Sequence, residues 1–327
     1  MRISFDQMQL EFRRVLLKLD FSDRKAELCA RIFAENSRDG VYSHGLNRFP
    51  VFVQLVREGY VDCQAEPELV GKIGSIECWD GHLAPGMYTA TLAMEKAISL
   101  SKEHGLGCVS VKNTNHWMRG GTYGRLAAAE HCVGICVTNT IANMPPWGGK
   151  VPRLGNNPLV IAIPYKGEPL VLDMAMSQFS YGKLQEFGSR GERLPVAGGY
   201  DSQGELSMDP NQIRATQRTL PIGFWKGSGL SLILDILVSS LSGGSSVESI
   251  TSQGKEYGLS QFFLCIDARQ WDQLVIENII SYTKRDAEGG QDKKILFPGE
   301  RSYSIRKTNE RDGIPVDEVI WAQVRAL

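Results

Sequence analysis

Between Gly107 and Ala175 the chain carries four short, almost wholly apolar runs bounded by Gly, Asn and Pro: Gly107–Asn113, Val133–Thr140, Pro158–Tyr165 and Pro169–Ala175. Runs of this length, rich in β-branched residues and without regular polar alternation, read as strands buried on both faces. A strand buried on both faces needs cover on each side, and the helix-period segments around it can supply that cover. The pattern therefore predicts an α/β fold: a sheet-centred body with a helical lobe.

The first hundred residues read as helical for the most part. Ser4 and Gln7 make a capping box ahead of a stripe formed by Met8, Phe12, Val15, Leu16 and Leu19. Ser22 can cap a second helix with Ala26, Cys29, Ile32 and Phe33 facing inward, and Pro50 opens a third in its first turn. A longer helix runs from about Met87 to His104 and stops at Gly105. Further on, Tyr123–His131, Ser228–Leu241 and Ala268–Arg285 read as helices, Gln261–Asp267 as a strand, and Asp317 as the cap of a final helix. The glycine-rich stretch Gly182–Arg218 reads as irregular and therefore functional or mobile. At 327 residues the chain could hold about two domain-sized cores. We divide it into a helical lobe, residues 1–75 plus 290–327, and a sheet-centred, cofactor-binding body, residues 76–289.

Composition removes whole classes of function. With 36 basic and 37 acidic side chains the net charge is −1, and no basic excess invites nucleic acid. The N-terminus has no apolar signal core, and Leu230–Leu241 is too short and too interrupted by Asp235 to cross a bilayer. Seven cysteines, odd in number and never spaced C-x-x-C, read as reduced thiols of a cytoplasmic protein, and no metal site is expected.

Phosphate-binding fingerprints are absent in complete form. Gly227-Ser228-Gly229 opens a helix but lacks the third glycine and the downstream acid of a dinucleotide fold. Trp225-Lys226-Gly227 reads either as an anion site, with Lys226 beside a helix N-terminus, or as an ordinary glycine-rich helix start. Of the five histidines, His44 and His116 keep chemically interesting company. His44 follows Ser43 and precedes Arg48 by four residues; His116 lies in the polar cluster Asn113–Gly121 just after a predicted strand. A titratable ring and a planar cation are what carbonyl reduction of a carboxylate substrate requires. Spacing alone leaves open a pair on a solvated face.

These segments carry a resemblance. Ser43-His44-Gly45 with Arg48, Asn115-His116, Gly155–Pro158 and Asp173–Ser177 resemble the type-2 malate/L-lactate dehydrogenase family, along essentially the whole chain. Val41–Pro50, Asn115–Gly121, Met144–Gly148, Phe179–Gly182 and Trp225–Gly229 look closest to the branch whose substrate is 2,3-diketo-L-gulonate. Trp117-Met118, where most of the family has Phe-Gly, is the most specific pointer to that branch.

The resemblance implies a mixed β-sheet flanked by helices that binds its cofactor in a non-Rossmann manner. It implies NADH, with NADPH as the other candidate, reducing 2,3-diketo-L-gulonate to 3-keto-L-gulonate. His44 is then the proton donor, Arg48 holds the substrate carboxylate, and Ser43, His116 and Thr140 line the substrate site, Thr140 standing where several relatives have a lysine. Cofactor contacts fall on Pro169, Leu170, Val171, Leu172, Asp173, Met174 and Ala175, on Trp225 and Lys226, and on Gly299, Glu300 and Arg301. A small sugar acid and a second copy of the chain are the implied partners. Two rival expectations remain: reduction of another 2-oxo acid or a cyclic imino acid, decided by Trp117 and Met118, and a cofactor-free sugar-acid lyase or isomerase.

Overall fold

A computed structural model describes residues 1–285 and 295–327. The boundary drawn at 289/290 lies outside them. In chain order the elements are β1 (Arg2–Ile3), α1 (Phe5–Leu17), α2 (Asp23–Arg38), α3 (Phe49–Arg57), β2 (Glu68–Ile73), β3 (Ile76–Asp80), α4 (Gly86–His104), β4 (Leu106–Thr114), α5 (Gly121–Ala129), β5 (Cys132–Thr138), β6 (Leu159–Ile163) and β7 (Leu170–Met174). They continue with α6 (Tyr181–Ser189), β8 (Gly199–Tyr200), β9 (Leu206–Ser207), α7 (Pro210–Thr216), α8 (Trp225–Ser242), α9 (Val247–Ser252), β10 (Leu259–Asp267), α10 (Gln273–Thr283), α11 (Glu300–Asp312), β11 (Ile314–Pro315) and α12 (Glu318–Ala326).

The start and stop signals act as their chemistry dictates. Ser4 and Gln7 form a complete capping box on α1, and Ser22 accepts from the Lys25 N–H at the start of α2. Gly105 ends α4 in the left-handed region at φ 81°, where a side chain would be strained.

Among the described residues one seven-stranded sheet runs in the order β2-β3-β4-β10-β5-β6-β7. Only β3 and β4 pair in parallel; the other neighbours are antiparallel. This is the mixed, non-Rossmann sheet that the resemblance implied. Strand alternation gives the sheet two apolar faces. Phe263 packs with the cluster of α4 and α5, whereas its neighbour Phe262 packs on the other side with Leu234 and Val238 of α8.

One expectation is completed here and another fails. The first hundred residues also contain the β2–β3 hairpin, which forms the sheet's edge and turns at the 75/76 boundary. Its β2 is almost wholly exposed, so no buried apolar run announced it. The stretch Gly182–Arg218 is not irregular throughout. It folds into α6, α7 and the β8–β9 ribbon around Leu184, Leu194 and Ile213. A three-residue core is too small to show as periodicity in a glycine-rich sequence.

Candidate active site

His44 and Arg48 do not share a helix face. They end two successive 3₁₀ turns, Tyr42–His44 and Leu46–Arg48, separated by Gly45. Gly45 is required because a Cβ there would overlap Ser37 Oγ and lie 3.0 Å from the Phe33 carbonyl of α2. With no side chain in the way, Ser37 Oγ accepts the Leu46 N–H at 2.9 Å and donates to the Phe33 carbonyl at 3.0 Å. Buried Asn36 donates to the His44 carbonyl at 2.9 Å and accepts from Thr122 Oγ1 at 3.3 Å. The turn carrying His44 is thereby tied both to α2 and to α5.

His116 leaves the end of β4 and folds back onto His44, with ring centroids 5.6 Å apart and planes inclined by 24°. Met118 adopts a left-handed φ of 67°, and its N–H donates to His116 Nδ1 at 2.9 Å. That bond makes Nδ1 an acceptor, so the neutral ring carries its proton on Nε2. On the other ring Nδ1 lies 3.0 Å from Ser43 Oγ. Burial first, then His116, Arg48 and Arg119, push the His44 pKa down to about 3; burial and Arg48 do the same to His116. Neither ring is charged near neutral pH.

Arg48 completes the group. Its Nη2 lies 3.9 Å from Glu256 Oε1, and the two flank a narrow recess, partly open to solvent, that His116, Met118, Phe52 and Leu55 also line. The arrangement places a cation for an anionic head beside two imidazoles able to exchange protons. Of the Trp117-Met118 pair only Met118 reaches the recess. Trp117 is buried between Tyr123 and Phe263, its ring 5.8 Å from each, so its influence on substrate choice is at most indirect.

The structure divides the other polar candidates. Asn115 spends its amide N–H groups on the carbonyls of Tyr60, Leu83 and Ala84, and Asn113 donates to Asp80. Both serve the fold. Thr140 Oγ1 is within 3.0 Å of Asn156 Oδ1, which also accepts from Asn143 Nδ2 at 3.0 Å. Ile141, next to Thr140, donates its N–H to Glu256 Oε2 at 3.2 Å, which ties this segment to Arg48. Glu256 escaped the sequence reading because a lone acid in Lys255-Glu256-Tyr257 carries no signal until the fold sets it beside Arg48.

Of the segments expected to hold a cofactor, the one around Gly299–Arg301 lies against the β7 strand. The Val171 N–H donates to the Pro298 carbonyl at 3.0 Å, and the Tyr303 hydroxyl donates to the Pro169 carbonyl, bringing Gly299–Arg301 beside the strand. Beyond β7, Ile222 N–H bonds the Met176 carbonyl at 2.8 Å and Gln178 N–H the Leu220 carbonyl at 2.7 Å, so the segment leading into α8, which Trp225 and Lys226 open, is bonded to the chain leaving β7. Asp173 Oδ2 accepts the Gly121 N–H at 2.8 Å and lies 3.9 Å from Arg119 Nε, linking this edge to the His116 turn. The groups present fit a dinucleotide. Trp225 is 66% exposed, Lys226 is exposed at the N-terminus of α8, and Phe224 holds a strained φ of 60° beside them. Glu300 is engaged otherwise, its carboxylate pairing with Lys284 at 2.6 Å and accepting the Phe297 N–H at 3.1 Å.

A mixed sheet carrying an arginine and two stacked histidines beside a small recess suits an oxidoreductase for small anionic carbonyl compounds. Comparison with known proteins agrees. The sequence profile of the malate/L-lactate dehydrogenase family matches residues 3–325. A 2,3-diketo-L-gulonate reductase of Escherichia coli is 42% identical over 336 aligned positions, covering the whole of both chains. The malate dehydrogenase of Entamoeba histolytica superposes with a TM-score of 0.93 at 25% identity, covering 100% of this chain and 96% of its own. The Δ1-piperideine-2-carboxylate reductase of Pseudomonas syringae shares the fold, with a TM-score of 0.87 at 24% identity over 100% of this chain and 99% of its own. The chain therefore belongs to the malate/L-lactate dehydrogenase family, and it is an oxidoreductase that uses a nicotinamide cofactor. Family membership sets the lyase or isomerase reading aside.

Proposed function

We propose that the chain reduces 2,3-diketo-L-gulonate to 3-keto-L-gulonate with NADH. The observation that carries this reading is the 42% identity, over the full length of both chains, to a reductase of that substrate. The site chemistry supports it. Arg48 binds the C1 carboxylate, His116 donates from Nε2 toward the adjacent carbonyl oxygen, and His44 supplies the proton that the oxygen takes up. A bound nicotinamide supplies the hydride that reaches the carbonyl carbon. Pro169–Ala175, Trp225-Lys226 and Gly299–Arg301 would hold it, with Lys226 toward its phosphates. NADH oxidation with 2,3-diketo-L-gulonate, pyruvate and oxaloacetate side by side tests the reading. Turnover of only the small acids would leave the family and the roles of His44 and Arg48 but discard the substrate. A cyclic imino acid is the second substrate class to assay, because the fold is shared with an imino-acid reductase.

Arg48→Ala is expected to raise KM for 2-oxo acids about 10–100-fold with a smaller change in kcat, since it removes a charge-assisted grip on the carboxylate. Steady-state kinetics check this, and an unchanged KM would remove Arg48 from the binding role.

We also propose that the working species is a cytoplasmic homodimer. Seven free thiols suit a reducing compartment. The inner stripe of α8, Gly227, Ser231, Leu234, Val238 and Ser242, is buried on the sheet, yet Leu232, Ile233, Ile236 and Leu237 on its outer side are 42–58% exposed. A helix apolar all round expects cover on both sides. Sedimentation analysis should give twice the chain mass, and Ile233→Glu with Ile236→Glu should give monomer. A wild-type monomer would refute it.

A further inference from the structure

The turn that fixes His116 also builds part of the recess, and the two tasks fall on different atoms of Met118. Its backbone N–H holds His116 Nδ1 at 2.9 Å, at a left-handed φ of 67°. The residue also lines the recess, in company with Phe52, Leu55 and Val61, beside Arg48 and His116. Its side chain, 3% exposed, belongs to the same apolar cluster as Phe52 and Val61.

The turn itself has other anchors. Ahead of it the Asn115 carbonyl accepts from Gln261 Nε2 at 2.9 Å, and the Asn115 amide donates to the Leu83 carbonyl at 2.7 Å. Behind it the Tyr123 hydroxyl donates to the Trp117 carbonyl at 2.6 Å, and Arg119 Nη1 lies 2.9 Å from Asp39 Oδ2. With both flanks held, glycine would occupy the left-handed position with less strain than methionine. A large side chain kept at such a position points to a role that the backbone does not fill.

We infer that the Met118 side chain is a specificity-determining group which, with Phe52, Leu55 and Val61, admits only 2-oxo acids that are slender next to the reacting carbonyl. These walls are apolar and give a hydroxyl group no partner, while the recess is narrow and partly open to solvent. A polyhydroxylated substrate then seats its carboxylate and reacting carbonyl inside and leaves its tail in water. The inference rests on the reductase reading above and deepens it. It separates a thin chain, whatever its length, from a group that is bulky where it meets the carbonyl.

Calorimetric titration of the NADH-loaded protein with oxamate, N-methyloxamate and N,N-diethyloxamate tests it, because the three share a head group and differ in the bulk beside it. Wild type should bind N,N-diethyloxamate at least about tenfold more weakly than N-methyloxamate. Met118→Gly keeps the N–H that holds His116, and it should strengthen N,N-diethyloxamate about tenfold relative to oxamate. Met118→Leu, close to methionine in volume, should keep the wild-type ratio and decides with wild type if the glycine variant does not fold. Wild type binding the diethyl compound as tightly as the methyl one would overturn the inference. So would a glycine variant whose ratio does not move, or one that loses all three ligands equally, which is the mark of a side chain that only holds the turn. A wild type that reduces 2,3-diketo-L-gulonate while the ratios stay put sinks this inference alone. One inactive on that substrate, with ratios that move as expected, sinks the substrate reading alone.

Discussion

His44→Ala lowers kcat by about 10²–10⁴-fold, the usual worth of a positioned acid, with little change in KM. The loss should be steep because His116 cannot take over. Its Nδ1 is occupied by the Met118 N–H, and two imidazoles with centroids 5.6 Å apart do not both ionise readily. His44 by itself is neutral, its pKa depressed by burial, His116, Arg48 and Arg119. An anion on Arg48 opposes part of that positive field, so ligand binding draws a proton onto the ring. Oxamate titrations in buffers of different ionisation enthalpy should show proton uptake in wild type that His44→Ala lacks. Retained kcat in the variant would place the acid elsewhere.

Asp39→Ala should destabilise the protein by about 3–5 kcal/mol, the typical result of removing one partner from a buried ionic network. Asp39 is only 4% exposed and sits among four guanidinium groups. Arg119 Nη1 lies 2.9 Å from Oδ2, Arg306 Nε 2.9 Å from Oδ1, Arg38 Nε 3.1 Å from Oδ1 and Arg125 Nη1 3.5 Å from Oδ2. Without it Arg119, 8% exposed, and its neighbours are buried with too little opposing charge. A melting midpoint lower by roughly 10 °C is the expected reading. A shift of a degree or two would mean that Glu168 and Asp173 compensate.

The pH dependence of this network follows from its sign. Burial pushes the Asp39 pKa up, but Arg306, Arg119 and Arg38 outweigh it and hold the carboxyl below its usual range. Its stabilisation is therefore present above about pH 4 and lost as the pH falls through the depressed value. His44 and His116 act in the same direction. Their native pKa values lie below the ordinary imidazole value, so the unfolded chain binds protons first once the pH drops below about 6.5. Acid should thus unfold the protein earlier than Asp39 alone would.

The same network shows why part of the site was hidden from sequence. Asp39, the Arg119–Arg125 stretch and Arg306 lie on three separate segments, and no spacing rule connects an acid in the cap of α2 to an arginine in α11. Nor does spacing reveal that Asn36 holds the His44 carbonyl, or that Asn113 and Asn115 are consumed by the fold.

Local chemistry, by contrast, was written in the chain. Capping side chains, glycines at helix ends and unbroken apolar runs act through neighbours within a few residues, so α1, α2, α4, β4–β7 and β10 follow from the sequence itself. So do the histidines and the arginine that merit attention, because residue type sets protonation and charge chemistry wherever the residue sits. Only the tertiary structure decided that His44 and Arg48 end two turns folded around Gly45, and that Met118 lines the recess while Trp117 fills the core. It also brought Glu256 beside Arg48. Those outcomes depend on contacts between residues tens to hundreds of positions apart, where packing rather than local preference determines which neighbours meet.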